Sequence, residues 1–139
     1  MSLQDLYARY HERVQFLMVY IREAHPRDGW WLGGGIIGLA IRASKSKAAT
    51  DVYDPKTIEE RRAVAGECEA ALKYGIRTYV DEMDDRVNKA YAAIPTRLYL
   101  VGIDGQVAYA GGLGPFGFKP GELGAAIEEY LAHLDDAAA

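Results

Sequence analysis

Apolar positions at helical spacing open the chain. In "LQDLYARYHERV", Leu3, Leu6, Tyr7, Tyr10 and Val14 recur every three or four residues, which predicts a short amphipathic helix. The next run, "VQFLMVYI", is almost continuously hydrophobic and predicts an interior strand covered on both faces, as in a mostly parallel sheet. A glycine-rich and then polar stretch, "WLGGGIIGLAIRASKSKAATDVYDP", has no firm period and reads as a long excursion. Thr57 and Glu60 then form a T-x-x-E capping box. The stripe Ile58, Arg61, Val64, Ala65, Cys68, Ala71 and Leu72 follows, which predicts a helix ended by Gly75. "IRTYV" reads as a strand and "DDRVNKAYAA" as a short helix stopped by Ile94 and Pro95. "RLYLVGI" and "QVAYA" flank Asp104 and Gly105, the signature of an antiparallel hairpin. After the loop "GGLGPFGFKPGEL", Leu123, Ile127, Tyr130, Leu131 and Leu134 line a closing helix.

Strands alternating with helices, then a hairpin and a final helix, predict a three-layer α/β domain with a mixed sheet. The 139 residues suffice for one domain with a real core, and neither a repeat nor a linker divides them. A net charge of −4 without a basic cluster argues against a nucleic-acid surface. The longest apolar stretch, "WWLGGGIIGLAI", is broken by glycines and too short to span a bilayer, so no membrane partner and a cytoplasmic location are expected. Cys68 is the single cysteine, which excludes an intramolecular disulfide and a two-cysteine redox motif. On the apolar stripe of its helix it is expected to be a buried, inert thiol.

Candidate chemistry centres on "EAHPRDGW", where the first strand ends. Glu23 and His25 are two residues apart in an extended segment, hence on the same side, and Pro26 keeps His25 extended. A carboxylate beside an imidazole fixes its tautomer and raises its basicity, as a general acid/base pair requires. By spacing alone, such a pair is more often hydrogen-bonded structure than chemistry. "GGGIIG" formally satisfies G-x-G-x-x-G, but "HPRDGWW" separates it from the strand, so no dinucleotide cofactor is expected. "DEMDD", Asp81 to Asp85, lacks the glycine and distal glutamate of a calcium loop and reads as a solvated helix start. His11 and His133 have no second ligand at metal spacing, so no metal is expected. Arg97, alternating with Tyr99 after Pro95, offers a forked donor to an anion; a plain surface arginine is the alternative.

The blocks "VYIREAHPRDGW", "R..VAGECEAAL", "VDEMDDRVNKAYAAIPTRLYLVGIDG" and "YAGGLGPFGF", in this order, resemble the iodothyronine deiodinase family and its bacterial relatives. The resemblance runs from about Leu6 to the final helix. It implies a thioredoxin-like fold with Pro95 in the place of the thioredoxin cis-proline. It also implies proton relay and substrate contact by Glu23 and His25, with Tyr91 in the relay. Arg97 would bind the anionic end of a small-molecule substrate beside Pro95 and Trp30, and a thiol would act as reductant. The family's reactive selenocysteine or cysteine lies in a strand and loop that would precede Leu3. Relative to the family, the first, central strand and the nucleophile loop are therefore expected to be missing.

A late start codon, a cloned fragment and a natural loss each explain such a difference. The resulting expectation is a thiol- or selenol-type oxidoreductase lineage, carrying out reductive dehalogenation or peroxide or disulfide reduction, whose chain as it stands is inactive. The alternative is a non-catalytic binding or assembly module that forms a homodimer through the opened sheet.

Overall fold

The computed structural model describes residues 1–23 and 53–139. It is a mixed α/β structure of four helices and four short strands among the described residues: α1 Leu3–Tyr10, β1 Met18–Tyr20, α2 Ile58–Leu72, β2 Thr78–Val80, α3 Arg86–Tyr91, β3 Tyr99–Val101, β4 Val107–Ala110 and α4 Pro120–Ala138. Two compact units divide the chain, Leu17–Tyr91 in one, and Met1–Phe16 with Ala92–Ala139 in the other.

In the second of these, packing dominates. Ser2 and Asp5 close a capping box at the start of α1, satisfying amide donors that the first helical turn leaves open. The helix stops at Tyr10 rather than continuing to Val14. Leu6 and Tyr10 on α1, Leu100 on β3, and Leu123, Ile127 and Leu131 on α4 form one buried cluster. All five apolar positions of the closing helix named from its period are buried or pack on that cluster. The Tyr10 hydroxyl donates to Glu128 at 2.7 Å, so the polar tip of a buried ring finds its partner at the rim. The hairpin forms at Asp104 and Gly105: Gly105 takes φ +79° and its N–H donates to the Gly102 carbonyl at 2.9 Å. Gly102 must stay a glycine, because a Cβ there would lie 2.5 Å from the Tyr130 hydroxyl, which accepts from the Ile103 N–H at 2.8 Å.

In Leu17–Tyr91, β1 and β2 run parallel, with Met18 opposite Thr78 and Tyr20 opposite Val80. The capping box of α2 is present, with Thr57 Oγ1 accepting from the Glu60 N–H at 3.2 Å. The helix ends at Leu72, before Gly75, because Lys73 itself adopts the left-handed conformation at φ 51°. Arg61 and Ala65 are its buried residues, whereas Ala71 and Leu72 at its end are exposed.

The described strands pair two by two, β1 parallel with β2 and β3 antiparallel with β4. Two sequence expectations need correcting. β1 is not covered on both faces: Leu17 and Val19 are 59% and 39% exposed, because among the described residues its only ladder partner is the three-residue β2. "DEMDD" does lead into a helix, with Glu82, Met83 and Asp84 exposed, but it is not solvated throughout. Asp81 is 2% exposed and its carboxylate accepts three backbone N–H groups, from Glu82 and Val87 on Oδ1 and from Asn88 on Oδ2, each at 2.9 Å.

That arrangement makes Asp81 the cap of α3, reached from the end of β2. Each buried N–H left without an acceptor costs about 1–3 kcal/mol. Asp81→Ala is expected to destabilise the protein by about 3 kcal/mol or more, read from the shift of a denaturant midpoint. Asp81→Asn should recover little of this loss. Its amide places an NH2 where one carboxylate oxygen stood, facing an N–H donor. A variant as stable as the wild type would refute the capping role.

Candidate functional site

Both parallel strands end in charge. β1 is followed by Ile21, Arg22 and Glu23, and β2 by Asp81 and Glu82. The carboxyl ends of parallel strands are where open α/β sheets place ligands.

Glu23 accepts a hydrogen bond from the Tyr20 hydroxyl. Burial, and then the hydrogen bond and charge of Glu23, push the Tyr20 phenol far above its ordinary range, so it stays protonated and donates. Cys68, half-buried on α2, lies within the field of the same carboxylate. Burial first, then the charges of Glu23 and Glu67, raise its thiol above the usual 9.0. The thiol is therefore neutral at physiological pH, as expected for an inert cysteine.

Beside this pair lies an ionic node. Arg61, 3% exposed, donates through Nη1 to the carbonyls of Glu82 at 2.7 Å and Asp81 at 3.3 Å, and its Nη2 lies 3.1 Å from Asp85. Asp85 takes φ 57°, a left-handed conformation that aspartate tolerates better than most residues. Its other oxygen meets Arg22 Nη1 at 3.4 Å, while Arg22 Nη2 reaches Asp54 at 3.2 Å.

Of the residues named from sequence, Glu23 and Tyr91 belong to Leu17–Tyr91, where Tyr91 is the exposed last residue of α3. His25 and Trp30 lie outside the described residues. Pro95 and Arg97 belong to the other unit. There the Ile94–Pro95 bond is cis. Arg97 Nε donates to the Gly111 carbonyl at 2.7 Å, and the guanidinium carbon lies 5.2 Å from the centre of the Tyr99 ring. One edge of the fork is thus fixed and its plane set against an aromatic ring. Among the described residues no group of three or more His, Cys, Asp or Glu side chains is arranged to hold a metal, and no helix is long and apolar enough to cross a membrane.

The sequence reading missed Tyr20, Arg22, Asp54 and the burial of Asp81 and Asp85. Arg61 carried the one visible signal, a charge at an inward position of an apolar stripe, which demands a buried partner.

An α/β structure with acid/base groups at the carboxyl end of a parallel strand pair defines a class broader than any one family. The comparison with known proteins narrows it. Residues 1–131 match the iodothyronine deiodinase family. The chain is 35% identical over 129 residues to the thyroxine 5-deiodinase of Sparus aurata, a match covering 93% of the chain and 43% of the relative. It is 36% identical over 130 residues to that of Aquarana catesbeiana, covering 93% and 42%. With the Homo sapiens enzyme it shares 31% over 141 residues, covering 98% and 40%. The chain belongs to the iodothyronine deiodinase family, and it spans about two fifths of the length of these curated relatives.

The placement of Glu23 near Cys68 has a direct readout. Alkylation of Cys68 by iodoacetamide should follow a titration with a midpoint above pH 9.0, and Glu23→Gln should move that midpoint down by removing a negative charge. An unchanged midpoint in the variant would separate the two side chains.

Proposed function

We propose that this chain carries the substrate-binding and proton-relay part of a thioredoxin-like, deiodinase-type oxidoreductase, with residues 1–139 as one domain acting in the cytoplasm. The observation that carries the reading is the Glu23 carboxylate, held by a protonated Tyr20 at the carboxyl end of a parallel strand pair.

In this reading Glu23 and His25 pass protons to and from the substrate, with Tyr91 in the same relay. Arg97, oriented by Gly111 and Tyr99, binds the substrate's anionic end beside Pro95, and Trp30 lines the pocket. Reductive dehalogenation breaks a carbon–iodine bond. Iodide leaves, carbon takes a proton, and two thiols, or a selenol and a thiol, supply the two electrons between them and end joined as a disulfide or a selenenyl sulfide. Glu23 and His25 would deliver the proton. In this reading Cys68 is not the nucleophile: burial first, then the charges of Glu23 and Glu67, favour its protonated thiol.

Thyroxine, after which these relatives are named, is the probe. Saturable binding, followed by quenching of tryptophan fluorescence, is expected, with about tenfold weaker binding in Arg97→Ala for the loss of a charged hydrogen bond. Iodide release by this chain with dithiothreitol should stay at background. Absence of saturable binding, or equal binding by the variant, would overturn the assignment.

A second reading, a non-catalytic assembly module forming a homodimer, draws support from Leu17, Val19 and Tyr79, which is 45% exposed, along β1 and β2. A sedimentation mass equal to one chain at working concentrations would dismiss it.

A further inference from the structure

We propose that Arg22 is a positioning residue for Glu23: anchored on Asp54 and Asp85, its guanidinium fixes the backbone where β1 ends and so holds the neighbouring carboxylate on the Tyr20 hydroxyl.

The two residues share a peptide link just past Tyr20, the last residue of β1. Anchoring the Arg22 side chain therefore fixes the backbone from which the Glu23 side chain departs. The clamp has two anchors: Nη1 on Asp85 at 3.4 Å and Nη2 on Asp54 at 3.2 Å. Both carboxylates are mostly buried, with exposures of 15% and 20%, and are themselves held. Asp85 is tied to the buried Arg61, and Asp54 also lies 3.7 Å from Lys56 Nζ. A planar fork can meet both at once, whereas an ammonium acts as a single point charge. Asp54 precedes Pro55 near the start of α2, so the same clamp ties the chain before residue 24 to the chain after residue 52.

The meaning of this for catalysis rests on the proton-relay reading of Glu23, but its test does not. Cys68 reports where the Glu23 carboxylate sits; the groups facing its thiol are Glu23, Glu67 and the Tyr20 phenol. Electrostatics gives the experiment its sign. Removing a cation and nothing else makes a thiolate harder to form, so Arg22→Gln in a static structure would leave the Cys68 alkylation midpoint in place or raise it. Releasing Glu23 from its station would lower the midpoint instead.

The proposal predicts that Arg22→Gln lowers the midpoint, with alkylation about threefold faster at pH 8. Arg22→Lys, which keeps the charge and the fold but not the fork, should fall between wild type and Arg22→Gln. Arg22→Gln added to Glu23→Gln should lower the midpoint no further. A midpoint that stays or rises in Arg22→Gln, or is unchanged in Arg22→Lys should the glutamine variant not fold, overturns the proposal. Neither thyroxine nor a reductant enters the measurement, so its failure is separate from failure of the deiodinase-type reading.

Discussion

The Leu17–Tyr91 unit depends on Arg61 being buried as a cation. A guanidinium removed from water is costly unless it is paired, and here both terminal nitrogens have partners, while Nε has no hydrogen-bond acceptor among the described residues. Two backbone carbonyls after β2 accept from one nitrogen, and the Asp85 carboxylate takes the other. Because the acceptors sit on the turn between β2 and α3, α2 cannot dock without setting that turn. Because Asp81 in the same turn caps α3, that helix cannot start elsewhere. The node reaches β1 through Arg22. Four elements are thus joined at the carboxyl end of the parallel pair, where Glu23 stands.

The two units are stabilised by different means. Leu6, Tyr10, Leu100, Leu123, Ile127 and Leu131 enclose one another, and this burial, at about 1.5–3 kcal/mol per large side chain, outweighs the ion pairs around it. Arg9 with Glu128 joins α1 to α4, and Arg13, just past α1, joins α4 at Asp135, both on exposed surface, where such pairs contribute about 0–1 kcal/mol. Around Arg61 and Asp81 the order reverses. Few large apolar side chains are fully buried there, and a network of charges and backbone groups sets the geometry. Networks of this kind depend strongly on distance and angle.

This difference also explains what could be read from the chain. Elements whose identity rests on a period or a local hydrogen bond were legible: the α2 capping box, the Asp104–Gly105 turn and the apolar face of α4 all follow from residues within a few positions of one another. The pairing of β3 with β4 was legible from its turn, whereas the pairing of β1 with β2 was not, since it is decided by groups far apart in sequence. Among the candidate residues, Glu23 was marked by its place at a strand end, whereas its Tyr20 partner looked like part of an apolar run. "DEMDD" misled for a related reason. Four acids in five residues imply solvent, unless a distant arginine and a helix start with open N–H groups are brought to them, and no local pattern announces either.

The same electrostatics decides what kind of chemistry the described residues can serve. A site that activates a thiol surrounds it with positive charge or helix N-terminal dipoles, so that the anion is favoured. Cys68 has the opposite surroundings, two carboxylates and partial burial, all of which favour the protonated form. Burial first, then the hydrogen bond and charge of Glu23, likewise keep Tyr20 protonated. Among the described residues, the groups whose acidity Glu23 changes, the Tyr20 phenol and the Cys68 thiol, are thus both held in the neutral, protonated form.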